Sequence, residues 1–193
     1  MKRILYLTIF GFLLAAPSWV MAQDHVEVGA FADYFKLSRT TPDINFVGVG
    51  GRVAFNLRPT VALEAEMAYD FERNFTSVFS NGATTQFVST DLRPLHALFG
   101  PKFQTNKGPF RLFATGKVGF VNFSTSNASA IPGFVGSLGA VTSGDTRFAL
   151  YPGVGVESFW GPFGMRADVG DQIYFDNGAR HNLKVTFGPV VRF

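Results

Sequence analysis

From Val61 to Phe71, every second position is apolar and all the acids fall on the positions between. Val61, Leu63, Ala65, Met67, Tyr69 and Phe71 share one parity; Ala62, Glu64, Glu66, Ala68 and Asp70 share the other. Successive side chains of an extended strand point to opposite faces, so this stretch has one apolar face and one that carries carboxylates. A helix would mix the two sets around its circumference.

The same pattern returns along the chain. Val47, Val49, Val53, Phe55 and Leu57 oppose Gly48, Gly50, Arg52, Ala54 and Asn56. Phe110, Leu112, Ala114, Val118 and Phe120 oppose Arg111, Thr115, Lys117 and Gly119, and Phe148, Leu150, Val154 and Val156 oppose Tyr151, Gly153, Gly155 and Glu157. Met165, Ala167 and Val169 oppose Arg166, Asp168 and Gly170; Leu183, Val185, Phe187, Val191 and Phe193 oppose Asn182, Lys184, Thr186 and Arg192. Val26–Leu37 and Leu95–Phe103 are fainter versions. These segments predict eight strands. Their composition agrees, with 23 Phe and 21 Gly and no dominance of helix-forming Leu and Ala.

The connections alternate in length. Arg58-Pro59, Gln104–Gly108 and Trp160–Phe163 are short. Ser38–Asp43, Arg73–Phe87, Ser124–Asp145 and Asp176–Arg180 are the others, the second and third long and rich in Ser, Thr, Asn and Gly. Short turns at one end and longer loops at the other describe an antiparallel up-and-down meander, laid out as in a transmembrane β-barrel. Pro59, Pro101, Pro109, Pro162 and Pro189 fall near the short-turn end, where a missing amide is best tolerated. Pro94 and Pro152 do not.

The first residues address export. Met1-Lys2-Arg3 is basic, Ile4 to Ala16 is apolar, and Val20-Met21-Ala22 supplies a small-residue site before Gln23. These are the parts of a secretory signal peptide, and the apolar run is short for a spanning helix of about 20 residues. The expected organisation is a signal peptide over residues 1–22, cleaved after Ala22, and one barrel domain over 23–193. Without Lys2 and Arg3 the 17 basic residues become 15 against 14 acidic, so the net charge falls from +3 to +1. That balance, with no Lys/Arg run, speaks against a nucleic-acid partner. The absence of cysteine leaves core packing or sheet closure to hold an exported chain together.

Alternation alone allows two barrels: apolar face outward in a bilayer, or apolar face inward around a ligand in a soluble, lipocalin-like binder. Two features favour the membrane. Tyr34, Tyr69, Phe71, Phe103, Phe110 and Phe120 sit near strand ends, where interfacial girdles belong. The chain also ends Thr186-Phe187-Gly188-Pro189-Val190-Val191-Arg192-Phe193. Thr186, Gly188, Val191 and Phe193 resemble the C-terminal signal by which bacterial outer-membrane barrels are recognised for assembly, with an aliphatic Val191 where an aromatic is common and an unusual Pro189. On this layout, the segment from Gln23 onward resembles the small outer-membrane β-barrels of the OmpA/OmpX and opacity-protein type. The resemblance implies outer-membrane location, contact with lipid and lipopolysaccharide, and handling by the barrel-assembly machinery.

An eight-stranded barrel is filled by its own side chains, so a diffusion pore is not expected. The inward set reads Glu27, Asp33, Arg52, Glu64, Glu66, His96, Lys102, Arg111, Lys117, Glu157, Arg166, Asp168, Lys184 and Arg192. Both signs are present, as buried charges require. Glu64 and Glu66 are expected to meet Arg52, Arg111 or Lys117 from nearby strands, forming a plug of ion pairs rather than a gated path.

Catalytic chemistry has little support. The histidines are His25, His96 and His181, without a recognisable Ser/His/acid set. A lipid-modifying enzyme with paired His and Ser is the third alternative, but His181 is followed by Asn182 and Leu183. Asp168, Asp171 and Asp176-Asn177-Gly178 lack the full calcium-loop pattern and read as solvated acids. Gly48-Val49-Gly50-Gly51 precedes no helix, so it is no nucleotide loop and suits a crowded barrel strand. No cofactor is expected. Specific function is expected in loops 73–87 and 124–145, made apolar by Phe75, Val78, Phe79, Ile131, Phe134 and Val135, against lipopolysaccharide, a surface partner or a host ligand.

Overall fold

The computed structural model describes residues 25–38, 43–80, 85–105, 108–126, 145–176 and 178–193. The signal segment 1–22 and residues 127–144 of the loop 124–145 lie outside these. The strands are β1 (Val26–Leu37), β2 (Ile44–Arg58), β3 (Val61–Asp70), β4 (Arg73–Ser80), β5 (Thr85–Gln104) and β6 (Phe110–Ser126). They continue with β7 (Asp145–Trp160), β8 (Phe163–Asp171), β9 (Ile173–Phe175), β10 (Ala179–Arg180) and β11 (Leu183–Arg192). No helix occurs among the described residues.

These segments form eight staves, because three pairs continue one another. β3 and β4 both pair with β5, from Tyr69↔Leu95 to Arg73↔Leu92, so one extra residue on their side makes a bulge. β8 and β9 keep one register against β7, and β10 and β11 keep one register against β9 and β8. All neighbours are antiparallel. β1 pairs with β11, Glu27↔Arg192 through Lys36↔Leu183, which closes the sheet into an up-and-down barrel. Closure gives every stave of the barrel wall a partner on both sides, while β4 pairs with β5 alone. At that seam the His25 amide donates to the Phe193 carbonyl and the Phe193 amide to the Val26 carbonyl, each at 2.8 Å.

One expected loop is different. Most of Arg73–Phe87 is strand: β4 and the start of β5 pair from Arg73↔Leu92 to Ser80↔Thr85 and carry the wall past the bulge as a hairpin. Its many Ser, Thr and Asn residues look like loop composition, but Phe75, Val78 and Phe79 are good strand formers.

The bulge and three ladder breaks have one cause. Pro94 lies beside the bulge; Pro101, Pro152 and Pro189 lie where the β5–β6, β7–β8/β9 and β1–β11 ladders skip two positions without losing register. Proline has no amide to donate, so the ladder lapses locally while the flanking pairs hold the strands in place. This accounts for Pro94 and Pro152.

Candidate functional site

Inward residues of the staves converge on a lumen that they fill. Near the short-turn rim, Glu27 accepts from Lys102 Nζ at 2.6 Å, Arg111 Nη1 at 2.8 Å and Asn56 Nδ2 at 3.1 Å. Lys102 also donates to Glu157 Oε1 at 2.9 Å, and Glu157 accepts from Arg166 Nη1 at 3.2 Å. Arg166 is the hub. It holds Glu64 with both terminal nitrogens, reaches Asp168 Oδ2 with Nε at 3.2 Å, and lies 4.2 Å over the Phe113 ring. Asp168 also accepts from Arg52 Nη1 at 2.6 Å, from Thr186 Oγ1 at 2.8 Å and from the Tyr151 hydroxyl at 2.9 Å. Lys117 sits between Glu64 and Glu66, and Lys184 reaches Glu66 Oε1 at 3.2 Å and Asp33 Oδ2 at 3.5 Å. All these charged side chains are buried.

The partners partly differ from those expected for Glu64 and Glu66. Lys117 contacts both, but Arg52 goes to Asp168 and Thr186, and Arg111 goes to Glu27. Arg52 is directly cross-strand from Glu66, yet its guanidinium passes 4.1 Å over the Phe31 ring towards the far wall. In so narrow a barrel, a long inward side chain reaches the opposite wall as easily as its neighbour. Arg192 stays at the rim, half-buried, with Nε donating to the Gly161 carbonyl at 2.8 Å. Asp168 is no solvated loop acid; it is among the most tightly held groups in the lumen. Asp171 does lie at the surface, accepting from the Asn182 amide at 2.9 Å beside exposed His181.

Bulk is shared across strands. Phe31 faces Gly50, Phe113 faces Gly155 and Phe159 faces Gly164, and each ring occupies space that a Cβ at its glycine would need. Gly188 serves Phe31 from the other side, where a Cβ would run into the Ala30 carbonyl and the Phe31 backbone. Thr186 and Gly188 therefore face the lumen, whereas Phe193 faces out and Val191 is half-buried at the rim. Gly188→Val is expected to hinder closure of the β1–β11 seam, lowering the yield of folded barrel; folding yield equal to that of the unmodified chain would show the seam tolerates a side chain there.

Towards the loop rim the lumen changes character. His96 Nε2 lies 2.7 Å from Asp70 Oδ2, and its Nδ1 lies 2.5 Å from Gln172 Nε2. Beyond them Phe35, Leu37, Ile44, Phe46, Leu92, Val121, Phe123 and Tyr174 form an apolar cap inside the barrel. Sequence reasoning missed this cap, because an inward apolar residue between outward apolar ones erases the alternation. The faint alternation of Val26–Leu37, which holds Phe35 and Leu37, is its signal in the sequence.

The outer face is apolar. Val49, Val53, Met67, Phe99, Leu112, Val118, Val154 and Val169 point away from the lumen. Phe55, Phe103, Phe110, Trp160 and Phe163 ring the short-turn end, and Tyr69, Phe71, Phe120, Phe148 and Phe175 lie towards the other. Along β3, Val61 to Phe71 at about 3.3 Å per residue and a tilt of about 40° gives a band about 25 Å tall, which matches the hydrocarbon belt of outer-membrane barrels. Exposed apolar surface of this extent is unfavourable in water. Among the described residues the lumen holds buried charged groups beneath a packed apolar cap, with the broad apolar face outward, the reverse of a lipocalin-like binder.

No protein-family model and no curated protein matches this sequence. Solved structures do match its shape. The attachment invasion locus protein Ail of Yersinia pestis, solved with the heparin analogue sucrose octasulfate, superposes with a TM-score of 0.54 at 15% identity, over 87% of this chain and 96% of that one. The N-terminal β-barrel domain of Pseudomonas aeruginosa OprF gives 0.57 at 14% identity, over 89% and 98%. Neisserial surface protein A gives 0.57 at 11% identity, over 88% and 97%. At these identities the likeness concerns the fold: this chain is an eight-stranded antiparallel barrel of the same architecture as those proteins.

Proposed function

We propose that this chain is exported through a signal peptide cleaved after Ala22 and inserts in the outer membrane as a small, non-porous barrel whose long loops recognise a partner at the cell surface. The observation that supports this reading is the pairing of an apolar outer band with a lumen lined by buried ion pairs. Thr186, Gly188, Val191 and Phe193 would present the final strand to the assembly machinery. Lipid and lipopolysaccharide would meet the outer face. The β4–β5 hairpin around 73–87 and the loop 124–145 are the proposed recognition elements, held on a rigid wall.

The test is envelope fractionation of the full-length chain after an alkaline carbonate wash. Retention of a mature protein beginning at Gln23 in the outer-membrane fraction is expected. Release as a folded periplasmic protein would overturn the membrane reading. In planar bilayers the purified barrel is expected to pass no steady current, because Arg166, Glu64 and Lys117 are buried and paired with one another in the lumen. Replacing residues 127–144 with a short turn should leave assembly intact and remove surface binding. A variant that assembles and keeps every binding phenotype would move recognition elsewhere.

A further inference from the structure

The polar tier beneath the apolar cap combines features that the ion-pair network lacks. Asp33 of β1, Asp70 of β3 and His96 of β5 come together inside the barrel, with ligand atoms all within 4.8 Å of one another. Asp33 and Asp70 are 1% and 0% exposed, yet neither oxygen of Asp33 and only one oxygen of Asp70 has a hydrogen-bond partner. Among the described residues Asp70 has His96 as its ion-pair partner and no lysine or arginine. Asp33 has only Lys184, at 3.5 Å, and that lysine lies nearer Glu66, at 3.2 Å. Two buried carboxylates thus share less than one cation. Desolvated carboxylates are costly unless they are paired or coordinate a metal.

The wall is shaped around these groups. Gly48 pairs with Asp33 on one side and with Asp70 on the other. A Cβ at Gly48 would collide with the Asp70 carboxylate and the Tyr69 carbonyl. Glycine here lets two acids from non-adjacent strands approach each other across β2. This gives the first glycine of Gly48-Val49-Gly50-Gly51 a reason for its place.

His96 has the outer partner that a metal ligand needs. In the structure the Gln172 Nε2 group lies against His96 Nδ1, and a half-turn of that side-chain amide would place Oε1, which has no hydrogen bond, there instead. Nδ1–H would then donate to that oxygen, freeing the Nε2 lone pair, 2.7 Å from Asp70 Oδ2, for a metal ion. An imidazole fixed by an acceptor at its other nitrogen is the usual arrangement in metal sites.

We propose that Asp33, Asp70 and His96 bind one divalent transition-metal ion of the zinc type inside the barrel, with Gln172 as the positioning residue. One imidazole and two carboxylates suit zinc, with the remaining position left to water. The ion ties β1, β3 and β5 together beneath the apolar cap. Because that cap covers the site, the metal enters as the barrel forms.

The full chain is extracted from membranes, refolded in detergent with Zn²⁺, dialysed against metal-free buffer and assayed for zinc by atomic emission. About one zinc per folded chain is expected to remain. His96→Gln and Asp70→Asn should lose it while the exposed-histidine variant His181→Gln keeps it, and Gln172→Leu should weaken retention about 10- to 100-fold. Folded wild type that retains no zinc would overturn the proposal, as would folded His96→Gln and Asp70→Asn that hold as much as wild type. Should those variants not fold, wild type refolded with Co²⁺ decides. Visible bands of an imidazole–carboxylate site support the proposal, and the spectrum of the hydrated ion overturns it.

Discussion

Replacing Arg166 with methionine is expected to cost the folded barrel about 3–5 kcal/mol, the range for removing one partner from a buried ion-pair system. Arg166 contacts Glu64, Glu157 and Asp168 together. Methionine fills much of the same volume, so the loss is mainly electrostatic. Asp168 retains Arg52, Thr186 and Tyr151, and Glu157 retains Lys102, so Glu64 suffers most, left with Lys117. The readout is urea unfolding in lipid vesicles, followed by tryptophan fluorescence. Lys36→Met is the control. It removes a surface pair with Asp43 at 2.8 Å, in which both side chains are more than a third exposed, and should cost about 0–1 kcal/mol. Equal effects from the two variants would mean that the network adds little to stability and that the lumen is held by its aromatic residues.

Met67→Arg tests the other face. Met67 points outward near the middle of the apolar band, 57% exposed. In a bilayer, an arginine at mid-depth costs about 2–4 kcal/mol, whereas at the interface it costs about 0–1. Leu57→Arg, close to the short-turn rim, is the matched interfacial variant. The expected result is a clear difference between the two in vesicles. If both are neutral or stabilising, the outer band does not meet hydrocarbon.

The staves and the two faces of the wall were legible in the sequence because period-two alternation is a local property, visible one strand at a time. The polar residues of the lumen were legible on the same ground: Glu64, Glu66, Arg111 and Lys117 all take the parity opposite to bulky apolar residues. Their partners were legible only in part: Lys117 meets Glu64 and Glu66 as expected, whereas Arg52 and Arg111 go elsewhere. Partner choice depends on how far an arginine or lysine reaches across a closed barrel, and nothing near Arg52 in the chain points to Asp168. Asp33, Asp70 and His96 were harder still, since each lies on a different stave and their spacing follows no sequence interval. The apolar cap was hidden because its residues spoil the alternation that revealed the rest. The β4–β5 hairpin was hidden by its Ser, Thr and Asn content, which reads as loop unless its few aromatic and β-branched residues are weighed.

The rings seated against glycines carry a consequence for how such a lumen can change. Phe31 and Gly50, Phe113 and Gly155, Phe159 and Gly164 each divide one volume between two strands. Enlarging the glycine alone produces a collision, and shrinking the ring alone leaves a void. The tolerated path is exchange, with bulk passing from one strand to its neighbour while the sum stays constant. A barrel filled in this way drifts by coupled substitutions, so its outline can persist long after the residues at matching positions have ceased to agree.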